Sequence, residues 1–261
     1  MAQRPLVWLP SAQRAFGWTG FYVGVHGGYG GSTADVDVAA SGVTIPPFGA
    51  HAATATMVSG VPTDFATNAK GFIGGGTLGY NVQTGRFVWG VETDLSWADI
   101  EGTNSQSGVF PGIGGAAPIT TAGTVQEKLD AFGTLRGRLG FAPDGRLLIY
   151  ATGGLAYGHV ASNTNISEAF PPSVLTPISG GIGSASQFRV GWTAGAGVEY
   201  AFAPHWSVKA EYLYYDLGTL TYNSVPIISP FGGTPSASIG VKSSAEFDGS
   251  IVRAGINYKF W

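Results

Sequence analysis

The 261-residue chain contains no cysteine, and charged residues make up only 11% of it. Without cysteine it can hold neither a disulfide framework nor a thiolate metal site nor a cysteine nucleophile. Soluble domains carry about 25% charged residues, so the deficit argues against an ordinary soluble surface. A net charge of −3 and an isoelectric point near 5.7 give no electrostatic reason for binding nucleic acid.

Long apolar runs are also missing from the sequence. No segment approaches the about 20 consecutive apolar residues that a membrane-spanning helix needs. Residues 1–17 contain one short apolar run, from Leu6 to Leu9, between two prolines. Such a run is too short for the apolar region of a secretory signal. Neither a helical membrane anchor nor a signal segment is therefore predicted.

What the chain has instead is a regular alternation of apolar and polar residues. The closing segment, VRAGINYKFW, places Val252, Ile256 and Phe260 on one face and Arg253 and Lys259 on the other. A period of two is that of a β-strand with one apolar side. The same pattern recurs in GFYVGVHGGYG, GFIGGGTLGYNV, FVWGVETDLSW, KLDAFGTLRGRLGF, LLIYATGGLAYG, VGWTAGAGVEYAF and WSVKAEYLYY.

The connections between these eight stretches alternate in length. Tight turns occur at 84–86, 143–146 and 203–205, whereas the other four connections are far longer. Short turns on one side and long loops on the other are typical of outer-membrane barrels. The sequence therefore predicts an all-β fold, an eight-stranded antiparallel transmembrane up-and-down β-barrel with four long extracellular loops and three short periplasmic turns.

A soluble β-sandwich is the alternative, because its strands also alternate. Its outward face would be charged, whereas here the polar face is rich in glycine and aromatic residues gather at the strand ends. Two aromatic girdles are typical of the two membrane interfaces. The girdle predicted beside the short turns contains Trp18, Phe21, Tyr80, Phe87, Trp89, Phe141, Tyr200, Phe202, Trp206, Tyr258 and Phe260, and the girdle beside the loops contains Tyr29, Trp97, Tyr157 and Tyr214.

The chain end belongs to the last predicted strand. A strand edge left unpaired in lipid costs several kcal/mol for each backbone group, so we expect the last strand to pair with the first. The spacing of Arg253, Gly255, Tyr258 and Phe260 resembles the C-terminal signal that outer-membrane proteins present to their insertion machinery. The additional Trp261 departs from that pattern, which usually ends at the final phenylalanine.

Two further segments carry a family resemblance. WTGFYVGVHGGYG (18–30) resembles the first strand of the Omp25/Omp31-type small outer-membrane proteins of alphaproteobacteria, a porin-family group. GWTAGAGVEYAFAPHWSVKAEYLYYDLG (191–218) resembles the sixth and seventh strands of that group. The resemblance implies a Gram-negative outer-membrane location, with 18–261 as the barrel domain, 1–17 as an N-terminal periplasmic extension and both termini periplasmic.

The interior of an eight-stranded barrel is just wide enough for its own side chains. Buried charges need partners, so we predict an ion-pair network that fills the lumen and a structural role for the protein. A narrow diffusion porin for small solutes is the main alternative, because inward-facing glycine leaves free volume. The predicted network comprises Glu92, Asp94, Lys128, Asp130, Arg136, Arg138, Glu199, Lys209, Glu211 and Arg253.

Residues suited to catalysis or cofactor binding are few. His26 points into the predicted lumen, where Ser96 or Glu92 would lie near it, but the spacing fixes no nucleophile and base. His51 and Met57 would be candidate ligands in a haemin-binding protein, an activity that the family resemblance suggests. We expect the protein not to be an enzyme, with no catalytic residue, no cofactor and no metal.

The predicted loops contain bulky apolar residues within proline- and glycine-rich sequence. Contiguous apolar patches on a surface mark interaction sites. These segments are therefore expected either to pack on one another over the outer mouth or to contact a neighbouring protein, a second copy or a host surface. Outer-membrane lipid, lipopolysaccharide and the insertion machinery are the other expected partners. The loop contact candidates are Phe48, Phe110, Phe170 and Phe231.

Overall fold

A computed structural model describes residues 16–44, 51–112, 118–169, 179–231 and 234–260. A short helix, α1 (His51–Gly60), precedes the second strand, and the described part of the chain contains no helix that is long and apolar enough to cross a bilayer. The strands are β1 (Gly20–Thr44), β2 (Asp64–Thr84), β3 (Phe87–Phe110), β4 (Ile119–Phe141), β5 (Leu147–Ala169), β6 (Ser179–Ala203), β7 (Trp206–Asn223), β8 (Ile227–Phe231) and β9 (Thr234–Lys259).

Eight of these strands form a closed antiparallel ring. Each strand from β1 to β6 pairs with the next one, β7 pairs with β9, and β9 pairs back onto β1, where Val25 lies opposite Ile256. Among the described strands, the short β8 pairs with β9 alone. The predicted eight-stranded antiparallel barrel and the pairing of the last strand with the first are both confirmed.

The two ends of the barrel differ in their connections. At one end, which we call the turn end, short turns join β2 to β3, β4 to β5 and β6 to β7. Gly85 and Gly145 lie in the first two of these turns with φ of 63° and 78°, which glycine adopts without strain. At the other, loop end the strands continue far into the segments predicted as loops, so that Thr44 of β1 still lies opposite Ala237 of β9.

A band of large apolar side chains, the apolar belt, covers the outer face of the wall nearest the turn end. Val25 is 67% exposed and Leu95 is 66% exposed. A continuous apolar surface of this kind suits contact with lipid rather than with water. Aromatic pairs border the belt, with Tyr29 against Phe72 and Trp192 against Tyr214 towards the loop end, and Phe87 against Phe141 and Trp206 against Tyr258 at the turn end.

One residue predicted for the turn-side girdle lies inside the barrel instead. Trp18 is only 2% exposed and packs edge-on against Phe16, with 4.8 Å between the ring centroids. Strand β1 begins only at Gly20, whose φ of 136° favours glycine. The alternation of buried and exposed residues nevertheless continues before it, so Trp18 shares the inward direction of Tyr22 and enters the barrel mouth beside Val88 and Leu148.

The interior consists of three layers along the barrel axis. An apolar turn-end plug surrounds Phe16 and Trp18. A charged layer follows at the level of the apolar belt. A larger apolar cluster, the loop-end core, fills the remaining length, and both α1, through the fully buried Met57, and β8, through Ile227, contribute to it. The charged layer therefore lies between two apolar layers.

Candidate functional site

The charged layer holds four carboxylates and four cations, so its formal charges cancel. Each of the eight charged side chains is at most 3% exposed. Strand alternation directs all of them inward from five strands. They are Glu92 and Asp94 of β3, Arg136 and Arg138 of β4, Glu199 of β6, Lys209 and Glu211 of β7, and Arg253 of β9.

Two arginines organise the centre of this layer. Arg136 donates from Nη1 to Glu211 over 2.9 Å and from Nη2 to Asp94 over 3.1 Å. The same Nη2 also contacts Glu92. Arg253 donates from Nη2 to Asp94 over 2.9 Å and from Nε to Glu211 over 2.7 Å. Asp94 and Glu211 are thus each shared by two guanidinium groups, in charge-assisted hydrogen bonds that are stronger than neutral ones.

A second group extends the network towards the turn end. The guanidinium carbon of Arg138 lies 3.8 Å from the ring centroid of Tyr150, a cation–π distance, and Arg138 also donates to Glu199. Its Nη1 donates to the hydroxyl of Tyr22 over 3.1 Å, and that hydroxyl donates to Glu92 over 2.7 Å. The tyrosine hydroxyl therefore links the two groups into one network.

His26 borders the charged layer, and its predicted proximity to Ser96 is confirmed. Its Nε2 lies 2.8 Å from the Ser96 hydroxyl, while Nδ1 lies 3.0 Å from the hydroxyl of Thr77. No carboxylate orients this imidazole from the other side, as the described residues place a hydroxyl there. His26 is only 6% exposed, so it completes a sealed polar network rather than an accessible catalytic pair.

Two of the ten residues predicted for the lumen network lie on the outer face. The Lys128 side chain is 44% exposed, and that of Asp130 is 40% exposed and contacts His159. The cause is a β-bulge, because the β4–β5 register skips Asp130. One extra residue reverses the alternation beyond it. Lys128 and Asp130 therefore point outward, and Leu129 points into the core.

The residues of the predicted assembly signal divide between the two faces of β9. Arg253 lies in the charged layer, and Gly255 shares its inward direction. Tyr258 and Phe260 lie outside at the turn end, with their rings edge-on and 5.4 Å between centroids. Trp261 lies outside the described residues. The structure thus places the aromatic pair on the outer face of the closing strand.

One of the four loop contact candidates has a described side chain. Phe48 and Phe170 lie outside the described residues, and Phe231 is described only as the last residue of β8. Phe110 ends β3 and lies half-buried on the rim of an open cleft of about 310 Å³. Other residues lining this cleft are Ser59, Val61, Pro62, Asp64 and Gln106.

Of the two candidate haemin ligands, Met57 has a described side chain and His51 does not. Met57 is fully buried in the loop-end core, where its sulfur cannot reach a surface-bound iron. The side chain of His51 lies outside the described residues. Haemin binding through these two residues therefore receives no support from the packing of α1.

Glu168, near the end of β5, is a buried carboxyl that the sequence did not single out. It is 1% exposed, and neither of its oxygens has a hydrogen-bond partner among the described residues. Burial raises the pKa of Glu168 to about 8. The folded protein therefore holds this carboxyl protonated at neutral pH.

Replacing Glu168 with Gln is expected to remove a pH dependence of stability. Between about pH 4.5 and 8 the unfolded chain has released this proton while the folded chain retains it, so the free energy of unfolding falls as pH rises through that window and is level above it. E168Q should abolish a loss of about 4 kcal/mol between pH 5 and pH 8, at about 1.4 kcal/mol per pH unit, measured by urea unfolding in detergent at pH 5, 7 and 9. Glu101→Gln, on the exposed outer wall, is the control, and an unchanged slope in E168Q contradicts the assignment.

Comparison with known proteins identifies close relatives. The family described as "Outer membrane protein beta-barrel domain" matches residues 6–260. The 31 kDa outer-membrane immunogenic protein of Brucella melitensis is 36% identical, covering 100% of this chain and 93% of that protein. The 22 kDa outer membrane protein of Rhizobium leguminosarum bv. viciae is 27% identical over 76% of this chain and 71% of its own. The crystal structure of the outer membrane protein OprG from Pseudomonas aeruginosa aligns with a TM-score of 0.44 at 15% identity, covering 94% of this chain and 97% of that one.

Proposed function

Since the chain belongs to the outer-membrane β-barrel family and is of the Omp25/Omp31 type, we propose that it is a structural protein of the outer membrane with a closed, non-conducting lumen. The observation that carries this proposal is the charged layer between two apolar layers. Arg136 and Arg253 are among the largest fully buried side chains of the protein. Ions crossing the lumen would have to displace these paired groups.

The loop-end core supports the same conclusion. Phe132 and Tyr215 pack against each other in the interior with tilted rings, at 5.1 Å between their ring centroids. A cavity bordered by Ser32, Ile100 and Tyr215 has a volume of about 10 Å³, which is about the room of one water molecule. An eight-stranded barrel has little interior space beyond its own side chains, and here apolar side chains occupy it.

Planar bilayer recordings test the closed lumen. The purified protein is expected to give no discrete conductance steps in symmetric salt at either polarity, because the paired charges and both apolar layers block the axis. A 16-stranded porin, whose lumen is an aqueous channel, reconstituted in parallel shows that the assay detects insertion. Uniform steps that depend on the amount of this protein would replace the structural proposal with the diffusion porin.

We also propose that the turn end faces the periplasm and the loop end faces the exterior. Short periplasmic turns and longer outer segments are the rule in bacterial barrels. Because the chain lacks cysteine, single-cysteine variants report topology without background. A membrane-impermeant maleimide on intact cells should label Ser105→Cys, near the loop end, and label Pro143→Cys, in a short turn, only after lysis. Labelling of Pro143→Cys on intact cells, with Ser105→Cys labelled only after lysis, would show that the orientation is the reverse of the one proposed.

A further inference from the structure

Three side chains on the outer face of neighbouring strands form a hydrogen-bonded relay. The Nδ1 of His159 in β5 lies 2.8 Å from Oδ1 of Asp130 in β4. The Nε2 of the same imidazole lies 2.9 Å from Oγ of Ser186 in β6. The His159 side chain is 29% exposed and that of Asp130 is 40% exposed, so the relay is open to the surroundings.

The same β-bulge that removes Asp130 from the lumen creates this relay. Without the extra residue in β4, Asp130 would point inward with Arg136 and Arg138. The bulge turns it outward beside His159, which lies opposite the next residue, Ala131. The β5–β6 register then places Phe188 opposite His159 and Ser186 two positions along the same outer face.

The atoms of this relay match those of serine hydrolases one for one. In such enzymes a carboxylate accepts a hydrogen bond from histidine Nδ1–H, which leaves Nε2 free to take the proton of the serine hydroxyl. Asp130, His159 and Ser186 present these contacts at 2.8 Å and 2.9 Å. His26 lacks the carboxylate contact and is sealed inside the barrel, so the two histidine sites differ in chemical competence.

The ladder between β6 and β7 also ends before it reaches Ser186. Pairing between β6 and β7 begins at Trp192 opposite Asp216 and runs towards the turn end. Towards the loop end, the next contact between β6 and the chain after β7 is the Val225 N–H donating to the Ile182 carbonyl over 2.9 Å. The interval between these contacts, which we call the seam, lacks a β6–β7 ladder.

Backbone direction alternates along a strand. Because the Ile182 carbonyl points into the seam, the N–H groups of Ser186 and Phe188 point there too. Arg189, also on β6, reaches across the gap and donates from its guanidinium to the Thr219 carbonyl of the facing strand β7 over 2.7 Å. Backbone N–H groups next to a nucleophilic hydroxyl are the kind of donor that stabilises an oxyanion.

The position of the relay indicates its substrate class. Trp97, at the loop-end border of the apolar belt, lies opposite Ala131, which in turn lies opposite His159. The relay is therefore at the height of lipid headgroups. Beside it, Phe188 is 73% exposed and its ring centroid lies 5.1 Å from that of His159. An acyl chain could rest on this ring with its ester carbonyl at Ser186.

We propose that Asp130, His159 and Ser186 form a hydrolytic site for fatty acyl esters of membrane lipids. Ser186 Oγ attacks the ester carbonyl as its proton passes to His159 Nε2, and the carbonyl oxygen takes up negative charge. Collapse of this intermediate breaks the ester C–O bond, and the alcohol leaves with the proton from His159. Water then attacks the acyl-serine, His159 takes its proton and returns it to Ser186, and the fatty acid is released. This activity is independent of whether the lumen conducts.

The first test uses the full chain refolded in detergent micelles with p-nitrophenyl octanoate as the probe. S186A and H159Q are expected to reduce turnover to the rate without protein, and D130N to reduce kcat by about 10⁴-fold, as loss of the orienting carboxylate does in serine proteases. Ser184→Ala, an exposed serine two positions away on the same face of β6, should leave kcat unchanged. A difference in gel migration between unheated and heated samples verifies that each variant is folded.

The second test identifies the lipid. Fatty acid release is measured by mass spectrometry from vesicles of phosphatidylethanolamine and from bilayers of purified lipopolysaccharide, with wild type, S186A and Ser184→Ala. Ser186-dependent release from one of these substrates supports the proposal and names the source of the ester. The proposal is overturned if wild type and S186A release equal amounts from both lipids and from the octanoate ester, which would leave the relay as a cross-strand structural contact.

Discussion

Replacing Arg136 with Met is expected to lower the free energy of unfolding by about 3–5 kcal/mol. Removing one partner of a buried ion pair leaves uncompensated charge in a medium that cannot solvate it. Arg136 is fully buried and serves Asp94 and Glu211 together with Glu92, so three carboxylates lose a shared cation. Urea titration in detergent micelles, followed by tryptophan fluorescence in both directions, measures the change.

Two matched variants control this experiment. Lys128→Met removes a cation from the outer face, where the 3.9 Å pair with Asp99 is solvent-exposed, and should cost about 0–1 kcal/mol. Arg136→Lys keeps the charge but not the planar fork that reaches several carboxylates, so its cost should lie between the other two. Equal losses for R136M and Lys128→Met would show that the charged layer is hydrated rather than sealed.

Introducing Arg at Val25 is expected to cost about 2–4 kcal/mol, the penalty for arginine on the lipid face near the bilayer midplane. Val25 lies on the outer face of β1, midway between the aromatic residues Phe21 and Tyr29, and is 67% exposed. In a protein surrounded by water, such an exposed site would accept arginine almost without cost. The substitution therefore reports which solvent contacts this surface.

Thr103→Arg is the matched control, because Thr103 is also exposed on the barrel wall but lies in β3 beyond the apolar belt. Its replacement should change stability by less than about 0.5 kcal/mol. Both variants are unfolded from lipid vesicles and compared with wild type. If V25R costs no more than the control, lipid does not contact the belt and the membrane placement fails.

Alternation was sufficient to predict the strand number, the ring closure and eight of the charged lumen residues. The period of two places Glu92 and Asp94 on the same face of β3, and this assignment does not depend on how the other strands pair. It failed at Lys128 and Asp130, because a bulge inserts one residue without any proline or glycine to mark it. A pattern read along one strand cannot show a slip that is defined only against the neighbouring strand.

The loop-end half of the barrel was misread for a different reason. In β1 the apolar side chains Val23 and Val25 point outward near the turn end, whereas Val36 and Val38 point inward further along. The surroundings of the wall change there from lipid to water, so the apolar side of each strand must change from outside to inside. This exchange interrupts the sequence pattern although the strand itself continues, and the interruption resembles a loop.

Long-range arrangements were beyond prediction altogether. The relay of Asp130, His159 and Ser186 joins residues from three strands and depends on two registers and one bulge. Sequence reasoning could identify the residue types, but their proximity is a property of the assembled wall.

The charged layer couples barrel closure to charge balance. Its eight members come from β3, β4, β6, β7 and β9, and Arg253 on the final strand supplies one of the four cations. In a partial assembly that lacks β9, four carboxylates face only three cations. Glu211 and Asp94 then lack the hydrogen bonds that Arg253 donates to them. Unbalanced buried charge therefore raises the free energy of incomplete barrels until the last strand docks. Ring closure is for this reason cooperative, and its final step is the docking of β9.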